Sequence, residues 1–327
     1  MESQSLFKQL KERQSWTLEQ KIDHSLGAID QFYQRMNGKV YVAFSGGKDS
    51  TVLLDLCRMF DPNIKAVFCN TGNEFPDIVR FVRNLQHRGG YNIEIITPEL
   101  KPKEVLYEYG FPLISKELAK KIRYMKNKPE SGIAKREWER INMKHPYKIS
   151  DKYLFLLNES FDVTESCCNI LKKKPFHSYE KKTGLAPIIG TMACESSMRQ
   201  TEYIRSNNHC NIFKVDGATR NTSRPLSIWL EDDIYNYIQK RGLEIADIYH
   251  SGVNRTGCMF CGFGAHLKGD QACKNIKVVK ELYPKCYDMF MNYTNNGVTY
   301  KEALDRVLRN TSGWSLDDKL RGYQLIE

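Results

Sequence analysis

The chain has 327 residues, enough for one large domain or two smaller ones with a core that needs no disulfide or metal. Its net charge of +10, from 49 Lys and Arg against 39 Asp and Glu, favours a phosphate-bearing substrate or partner. No apolar run approaches the roughly 18–20 residues of a membrane span, and the polar first residues lack the apolar core of a secretory signal, so we expect a cytoplasmic protein with no membrane partner.

The first third of the chain predicts two N-terminal helices followed by alternating strands and helices. Apolar side chains recur at helical intervals over residues 1–37. Strands are then predicted at 40–44, 64–69 and 93–97, and helices at 51–60, 75–87 and 103–109. Because helices separate the strands, the pattern indicates a parallel sheet covered on both faces.

The rest of the chain is predicted to be mainly helical. A basic helical insertion occupies about 114–160, and strands are predicted at 187–191 and 212–215 around a helix at 195–205. Beyond about 216 the helical pattern is interrupted by a stretch rich in Gly and Cys. We therefore divide the chain into N-terminal helices (1–37), an α/β domain that contains the insertion (38–215) and a C-terminal helical region with a C-x-x-C (216–327).

A glycine-containing loop connects the first predicted strand to the first helix of the alternating pattern. Its residues are Ser45, Gly46, Gly47, Lys48, Asp49 and Ser50. Gly46 and Gly47 allow the backbone to approach an anion closely, and the N–H groups that open the following helix attract phosphate. The two serines add hydroxyl donors. Lys48 adds a positive charge for an anionic leaving group, and Asp49 is a candidate contact of Mg²⁺.

This loop resembles the signature of the PP-loop ATP pyrophosphatases. Residues 70–76 (NTGNEFP) also resemble the D-T-G-x-x-F-P segment of the phosphoadenosine-phosphosulfate (PAPS) reductase branch. Similar segments at 187–196, 224–229 and 249–264 extend the resemblance over roughly residues 38–290. It implies an α/β fold with an open parallel sheet sandwiched by helices, of the PP-loop, HUP/Rossmann-like type, with a helical, Cys-containing C-terminal extension.

The resemblance also assigns candidate site residues. The 45–50 loop takes the phosphates of ATP, and the residues bordering the adenosine are Asn70, Thr71, Gly72 and Glu74. Arg199 and Arg255 are candidates for further phosphate contacts; the alternative for each is an ordinary surface or ion-paired arginine.

Four of the ten cysteines fall in two close pairs. Ten cysteines in a cytosolic chain do not indicate a disulfide framework. Residues 167–175 (CCNILKKKP) resemble the C-C-x-x-x-K-x-x-P stretch that, in assimilatory sulfonucleotide reductases, joins a distant C-x-x-C to hold a 4Fe-4S cluster. By this resemblance the ligands are Cys167, Cys168, Cys258 and Cys261. A four-thiolate set also suits tetrahedral Zn²⁺, and the alternative for the adjacent pair is two buried small side chains.

Two departures from the reductases favour ATP cleavage. Reductases act through a cysteine near the C-terminus, whereas no cysteine follows Cys286, and they usually lack the loop lysine that is present here. We therefore favour adenylyl transfer to an acceptor oxygen at the α-phosphorus, with Lys48, Asp49 and Arg199 as catalytic residues. Sulfur then displaces the activated group, as the resemblance to DNA-phosphorothioation ATP pyrophosphatases and, less closely, iron–sulfur tRNA thiolases implies.

The expected partners follow from this reaction. DNA or RNA is the candidate acceptor, because the chain is basic and residues 116–128 carry six basic side chains against one acidic one. A cysteine desulfurase or another sulfur donor would supply the sulfur. Two alternatives remain open: an APS or PAPS reductase with an unusual or borrowed thiol, and a non-catalytic regulator that binds nucleotide or nucleic acid.

Overall fold

The computed structural model describes residues 2–267 and 271–322, and the chain forms two compact units. The first unit contains Met1–Asn70, Pro76–Thr97 and Phe176–Asp247, and the second contains Thr71–Phe75, Pro98–Pro175 and Ile248–Glu327. These units interleave along the chain, whereas the three segments expected from the sequence are consecutive. The N-terminal helices lie in the first unit, and the basic insertion lies in the second. The predicted C-terminal region (216–327) is divided, with its residues up to Asp247 in the first unit and those from Ile248 in the second.

Helices and short strands alternate along most of the chain. The helices are α1 (Glu2–Gln14), α2 (Leu18–Arg35), α3 (Lys48–Phe60), α4 (Pro76–His87), α5 (Pro102–Tyr109), α6 (Lys116–Asn127), α7 (Gly132–Asn142), α8 (Ser166–Cys168), α9 (Lys174–Thr183), α10 (Ser197–Arg205), α11 (Glu231–Arg241), α12 (Gln271–Leu282), α13 (Pro284–Met291), α14 (Tyr300–Ser312) and α15 (Leu316–Arg321). The strands are β1 (Val40–Ala43), β2 (Ala66–Cys69), β3 (Ile93–Ile96), β4 (Leu113–Ile114), β5 (Ala186–Ile189), β6 (Asn211–Ile212), β7 (Thr222–Ser223), β8 (Gly262–Phe263), β9 (Thr294–Asn295) and β10 (Val298–Thr299). A π-helical turn at Asn169–Lys173 joins α8 to α9. None of the helices in the described residues is long and apolar enough to cross a bilayer.

A six-stranded sheet in the order β3-β2-β1-β5-β7-β6 forms the centre of the first unit. β1 is parallel to both β2 and β5, so that Val42 lies beside Ala66 on one side and Ile188 on the other. Strands buried on both faces read as continuous apolar runs, as β1 does. The predicted α/β fold with an open parallel sheet between helices is therefore confirmed.

The edge of this sheet differs from the prediction of one strand at 212–215. Two short strands form instead, and β6 runs antiparallel to β7 with Ile212 beside Thr222. The chain reverses between them through a turn at Lys214–Asp216, after which Gly217 takes a left-handed φ of +89°. The polar Thr-Ser sequence of β7 carries no alternating pattern, so the sequence did not indicate this strand.

Helix α2 is anchored to the first unit by buried polar contacts. Thr17 caps its amino end, and Gln20 completes a capping box. The Ser25 hydroxyl donates to the Pro225 carbonyl and accepts from the Trp229 indole, both at 2.9 Å. These bonds satisfy polar groups that would be costly to bury alone.

The second unit positions its C-x-x-C segment through a short parallel strand pair. β8, which directly follows Cys261, pairs with β4. The Tyr300 hydroxyl donates to the Phe260 carbonyl at 2.6 Å. A Cβ at Gly262 would lie 2.7 Å from Leu113 and from the Tyr300 hydroxyl, so only glycine permits this close approach.

Candidate functional site

The 45–50 loop lies at the carboxyl end of β1, beside the point where the strand order reverses. Ligands of open α/β sheets bind at this point. Gly46 is buried with a left-handed φ of +72°, and a Cβ there would lie 2.7 Å from Val82 and 2.8 Å from Ile78. On the other side, a Cβ at Gly190 would lie 3.2 Å from the Asp49 carbonyl. The loop is thus packed between α4 and the end of β5.

Hydrogen bonds within the loop fix its shape. The Ser50 hydroxyl donates to the Gly47 carbonyl at 2.8 Å, and the Ser45 N–H donates to the same hydroxyl at 3.2 Å. Gly47 is the N-cap residue of α3, and no described side chain caps this helix end. An amino end without a side-chain cap offers donors and positive potential to an anion.

Lys48 is buried at the start of α3, with only 2% of its surface exposed. Its ammonium nitrogen lies 3.0 Å from Asp49 Oδ1 and 3.2 Å from Glu231 Oε1, and 5.4 Å from the centre of the Tyr235 ring. Burial opposes the charged form, but the two carboxylates outweigh it and raise the pKa of Lys48. The ammonium group therefore stays charged and is held in one direction.

Glu231 is a site residue that the sequence analysis missed. It opens α11, and its side chain is 53% exposed. In the sequence it belongs to an acidic stretch, Glu231-Asp232-Asp233, of the kind that opens many helices. Nothing in that pattern distinguishes a carboxylate that contacts the loop lysine.

The segment predicted to border the adenosine divides between the two units. Asn70 belongs to the first unit, where its N–H donates to the Ile96 carbonyl at 2.9 Å. Thr71, Gly72 and Glu74 belong to the second. There the Glu74 carboxylate accepts from the Thr71 N–H at 2.8 Å and from the Thr71 hydroxyl. Glu74 therefore closes a tight turn in the second unit.

This turn is fastened to the C-x-x-C segment. The Met259 N–H donates to the Asn73 carbonyl at 2.9 Å, and the Cys261 N–H donates to the Cys258 carbonyl at 3.2 Å. Glu74 also raises the pKa of Lys172, although the Cys258 thiolate raises it more. Residues 71–75 thus form one wall of the surroundings of the cysteines.

All four predicted metal-binding cysteines belong to the second unit and interact electrostatically. A hydrogen bond from Cys167 lowers the pKa of Cys168 to about 5, opposed by burial and assisted by Lys116 and Lys172. Burial raises the pKa of Cys261 to about 12, and the charge of Cys258 adds to this rise. The result is a group of thiols with ammonium groups beside them.

The arrangement of these cysteines differs from a site for one metal ion. Within residues 2–267 and 271–322, no three or more His, Cys, Asp or Glu side chains are grouped as they would be around a single ion. Cys167 and Cys168 are hydrogen-bonded to each other, whereas Cys258 and Cys261 affect the pKa of Cys167 through their charges.

The two predicted phosphate-binding arginines lie in different units. Arg199 belongs to the first unit and forms an ion pair with Glu195, one helical turn earlier. Arg255 belongs to the second unit and is exposed; its carbonyl accepts from the Gly257 N–H at 3.2 Å.

The basic run at 116–128 is only partly a free cationic surface. Arg123 pairs with Glu165 at 2.6 Å, and Lys126 pairs with Asp162 at 3.0 Å. Lys121 likewise contacts Glu117 and Glu137, whereas the exposed Lys120 and Lys128 lie about the Tyr124 ring. Three of the six charges therefore have carboxylate partners within the second unit.

Comparison with known proteins places these features in a family. Residues 39–262 match the phosphoadenosine phosphosulfate reductase domain family. One uncharacterized protein of Methanocaldococcus jannaschii is 25% identical over 312 residues, covering 92% of this chain and 59% of its own length. Another from the same organism is 37% identical over 276 residues, covering 82% of this chain and 44% of its own. The chain thus spans about half the length of these two relatives.

More distant matches include named enzymes and solved structures. Adenosine 5'-phosphosulfate reductase 2 of Bacillus subtilis is 21% identical over 246 residues, covering 74% of this chain and 80% of its own. The PAPS reductase of Candida auris, solved as a phosphate complex, aligns with 67% of this chain and 81% of its own at 14% identity and a TM-score of 0.39. The FMN adenylyltransferase of Candida glabrata, solved with ATP, aligns with 79% of this chain and 70% of its own at 11% identity and a TM-score of 0.42. Since the family match covers well over half of the sequence, the chain belongs to the phosphoadenosine phosphosulfate reductase domain family.

Proposed function

We propose that this protein cleaves ATP between its α and β phosphates and transfers the adenylyl group to an acceptor that then receives sulfur. The observation that carries the proposal is Lys48, a buried ammonium group at the amino end of α3. A charge fixed beside a phosphate-binding helix end is suited to a leaving pyrophosphate. Reduction of a sulfonucleotide releases no pyrophosphate, so that reaction does not need the positive charge of Lys48.

In the proposed reaction, the β and γ phosphates bind the amino end of α3, where Gly46 and Gly47 bring the backbone close to them. An acceptor oxygen attacks the α-phosphorus, and the bond to the bridging oxygen breaks with its electron pair on pyrophosphate. Lys48 neutralises the charge that develops on that oxygen. A sulfur nucleophile then displaces AMP from the activated acceptor.

The residues around Lys48 fit a magnesium ion with bound nucleotide. The carboxylates of Asp49 and Glu231 converge on the same ammonium nitrogen, and Mg²⁺ is typically held by one or two carboxylates together with substrate phosphates. When bound, Mg²⁺ supplies charge that neutralises phosphate oxygens. The same carboxylates orient the lysine, whose ammonium would otherwise sample many directions.

Cys167, Cys168, Cys258 and Cys261 fit a 4Fe-4S cluster. Each thiolate of such a cluster binds a different iron, so the four sulfurs need not meet around one ion as they would around Zn²⁺. Lys116 and Lys172 compensate thiolate charge in this unit. The cluster, when bound, supplies a polarising or electron-transferring group, and the protein supplies its ligands and the neighbouring cations.

Sulfonucleotide reduction is the second candidate, favoured by the similarity to adenosine 5'-phosphosulfate reductases at 20–22% identity. An anaerobic assay separates the two functions. The protein is incubated with ATP, APS or PAPS, with reduced thioredoxin and with tRNA or plasmid DNA as trial acceptors, and pyrophosphate and sulfite are measured. We expect pyrophosphate from ATP and no sulfite from APS or PAPS.

The Lys48→Ala variant tests whether pyrophosphate release in this assay depends on the 45–50 loop. We expect pyrophosphate release to fall about 100-fold or more, the scale of losing one charge-stabilising group in a transition state. Lys65→Ala removes a partly exposed lysine of the same unit and should leave the rate unchanged. Sulfite release from APS or PAPS without pyrophosphate release from ATP would replace the proposal with reductase activity.

A further inference from the structure

A cavity lies in the first unit, between α1, α2 and residues 208–216. Its volume is about 600 Å³, within the range of small-molecule sites. Its lining includes Arg13, His24, Gly27, Arg35, Phe213 and Asp216. We call it the α2 cavity. None of these residues has a part in the reaction proposed above.

Arg13 gives the α2 cavity an uncompensated positive charge. Its Nη1 donates to the Tyr203 hydroxyl at 3.1 Å and to the Asn208 carbonyl at 2.9 Å, which are both neutral acceptors. Among the described residues, no carboxylate lies within ion-pair distance of this half-buried guanidinium. The pKa of His24 is lowered by burial and then by Arg13, so the positive potential reaches the cavity wall. An anion would supply the missing charge.

Arg35 and Phe213 add a flat cationic surface to the lining of the cavity. The Arg35 guanidinium lies 4.1 Å from the centre of the Phe213 ring, which leaves its other face for a planar group. Asp216 lies 3.7 Å from Arg35, where its carboxylate can accept a hydrogen bond from a ring amine. Planar heterocycles of different kinds stack on guanidinium and aromatic faces, because stacking depends on the flat face of the ring and not on which base it is.

Gly27 keeps this side of α2 open. It lies within an 18-residue helix, where glycine is less favourable than alanine, yet a Cβ there would meet nothing within 4 Å. Close packing therefore does not require glycine at this position. Its effect is to leave room in the cavity where a side chain would project.

We propose that the α2 cavity binds a nucleoside monophosphate, with the phosphate at Arg13 and the base against Arg35. The binding is non-covalent. Cys210 lies 3.5 Å from His24 Nε2, but burial raises the pKa of Cys210 to about 12, so it remains a thiol. This site does not depend on ATP cleavage at the 45–50 loop.

The test is calorimetric titration of the full-length chain with AMP, adenosine and inorganic phosphate. Gly27→Phe fills the cavity without a backbone clash. Gly132→Phe is its matched control, because Gly132 is also a helical glycine at which a Cβ would meet no atom within 4 Å. We expect AMP binding to weaken more than tenfold in Gly27→Phe and to stay within twofold in Gly132→Phe. Adenosine and phosphate alone should each bind at least tenfold more weakly than AMP.

Arg35→Gln provides a second variant in case Gly27→Phe does not fold, since Arg35 is exposed; it should also weaken AMP binding about tenfold. Undetectable AMP binding at millimolar concentration would overturn the proposal. So would a loss of binding in Lys48→Ala with none in Gly27→Phe, because the nucleotide would then occupy the 45–50 loop. Equal affinity for adenosine and AMP would show that Arg13 does not bind the phosphate group of AMP.

Discussion

Gly46 constrains the 45–50 loop both by its backbone conformation and by its packing. Its left-handed φ of +72° disfavours any side chain, and the methyl groups of Val82 and Ile78 occupy the space that a Cβ would need. The glycine thus serves both backbone conformation and close packing against α4. These two effects can be separated by comparison with Gly184, which has a φ of +71° and no atom within 4 Å of a Cβ position.

We predict that Gly46→Ala destabilises the protein more than Gly184→Ala. Each substitution carries a conformational cost of about 1–2 kcal/mol, and overpacking adds about 1–3 kcal/mol at Gly46 alone. Urea denaturation measures the difference. Equal free energies of unfolding for the two variants would show that α4 does not pack against the loop as described.

Glu231 shows what a local motif omits. The six residues of SGGKDS are contiguous, so their pattern could be recognised, and Lys48 and Asp49 were both assigned from it. Glu231 reaches the same ammonium from a helix that begins more than 180 residues later in the sequence. Only the folded chain shows that the lysine has two carboxylate neighbours.

We predict that Glu231→Gln raises the Mg²⁺ concentration needed for half-maximal pyrophosphate release about tenfold, the lower end of effects seen for residues that support a metal site. The amide keeps the size of the side chain but removes the charge that orients Lys48. Asp232→Asn is the control, since the neighbouring carboxylate is exposed. An unchanged Mg²⁺ dependence in Glu231→Gln would exclude this residue from the proposed Mg²⁺ site.

At the scale of elements, the turn at 71–75 and the C-x-x-C segment form one structural feature. The sequence assigned the first to adenosine and the second to a metal, because each resembles a separate family segment. The hydrogen bond between Met259 and Asn73 joins them, and Gly262 allows β8 to pair with β4. Pairing between distant short segments leaves no periodic signal in the sequence, so this link could not be predicted.

We predict that Cys258→Ser combined with Cys261→Ser removes iron and sulfide from anaerobically purified protein and bleaches its brown colour. Serine preserves size but is a poor ligand for iron in place of thiolate. The Cys286→Ser variant is the matched control and should retain the iron of the wild-type protein, because Cys286 is outside the predicted ligand set. A wild-type protein that is colourless and iron-free under the same conditions would contradict the cluster assignment.

For the whole molecule, the sequence predicted the parallel sheet, whereas the interleaving of two compact units along the chain was not part of the prediction. Strands β1 and β2 of the sheet lie close in sequence and carry continuous apolar runs, as in VYVAF. The second unit instead brings Leu113 beside Gly262 through a two-residue strand pair. The count of basic residues at 116–128 was similarly incomplete as a guide to surface charge. It could not show that Lys121, Arg123 and Lys126 are paired with carboxylates.

The net charge of +10 and the ion pairs within the basic run lead to a prediction about binding of the proposed nucleic-acid acceptor. Each phosphate contact contributes a slope of about −0.9 to the dependence of log K on log salt for duplex DNA. Lys120 and Lys128 are exposed. We therefore expect replacement of both by alanine to make the slope for duplex DNA shallower by about 2 units, roughly two phosphate contacts.

The control replaces Lys285 and Lys301, which are exposed lysines of the same unit outside the basic run. This pair changes the net charge by the same amount, so a purely global effect of charge would make both slopes shallower equally. A change confined to Lys120 and Lys128 would locate the phosphate contacts on α6 and the residue that follows it. Salt-independent binding of the wild type would instead exclude a phosphate-backbone interface, because release of counterions necessarily makes such binding sensitive to salt.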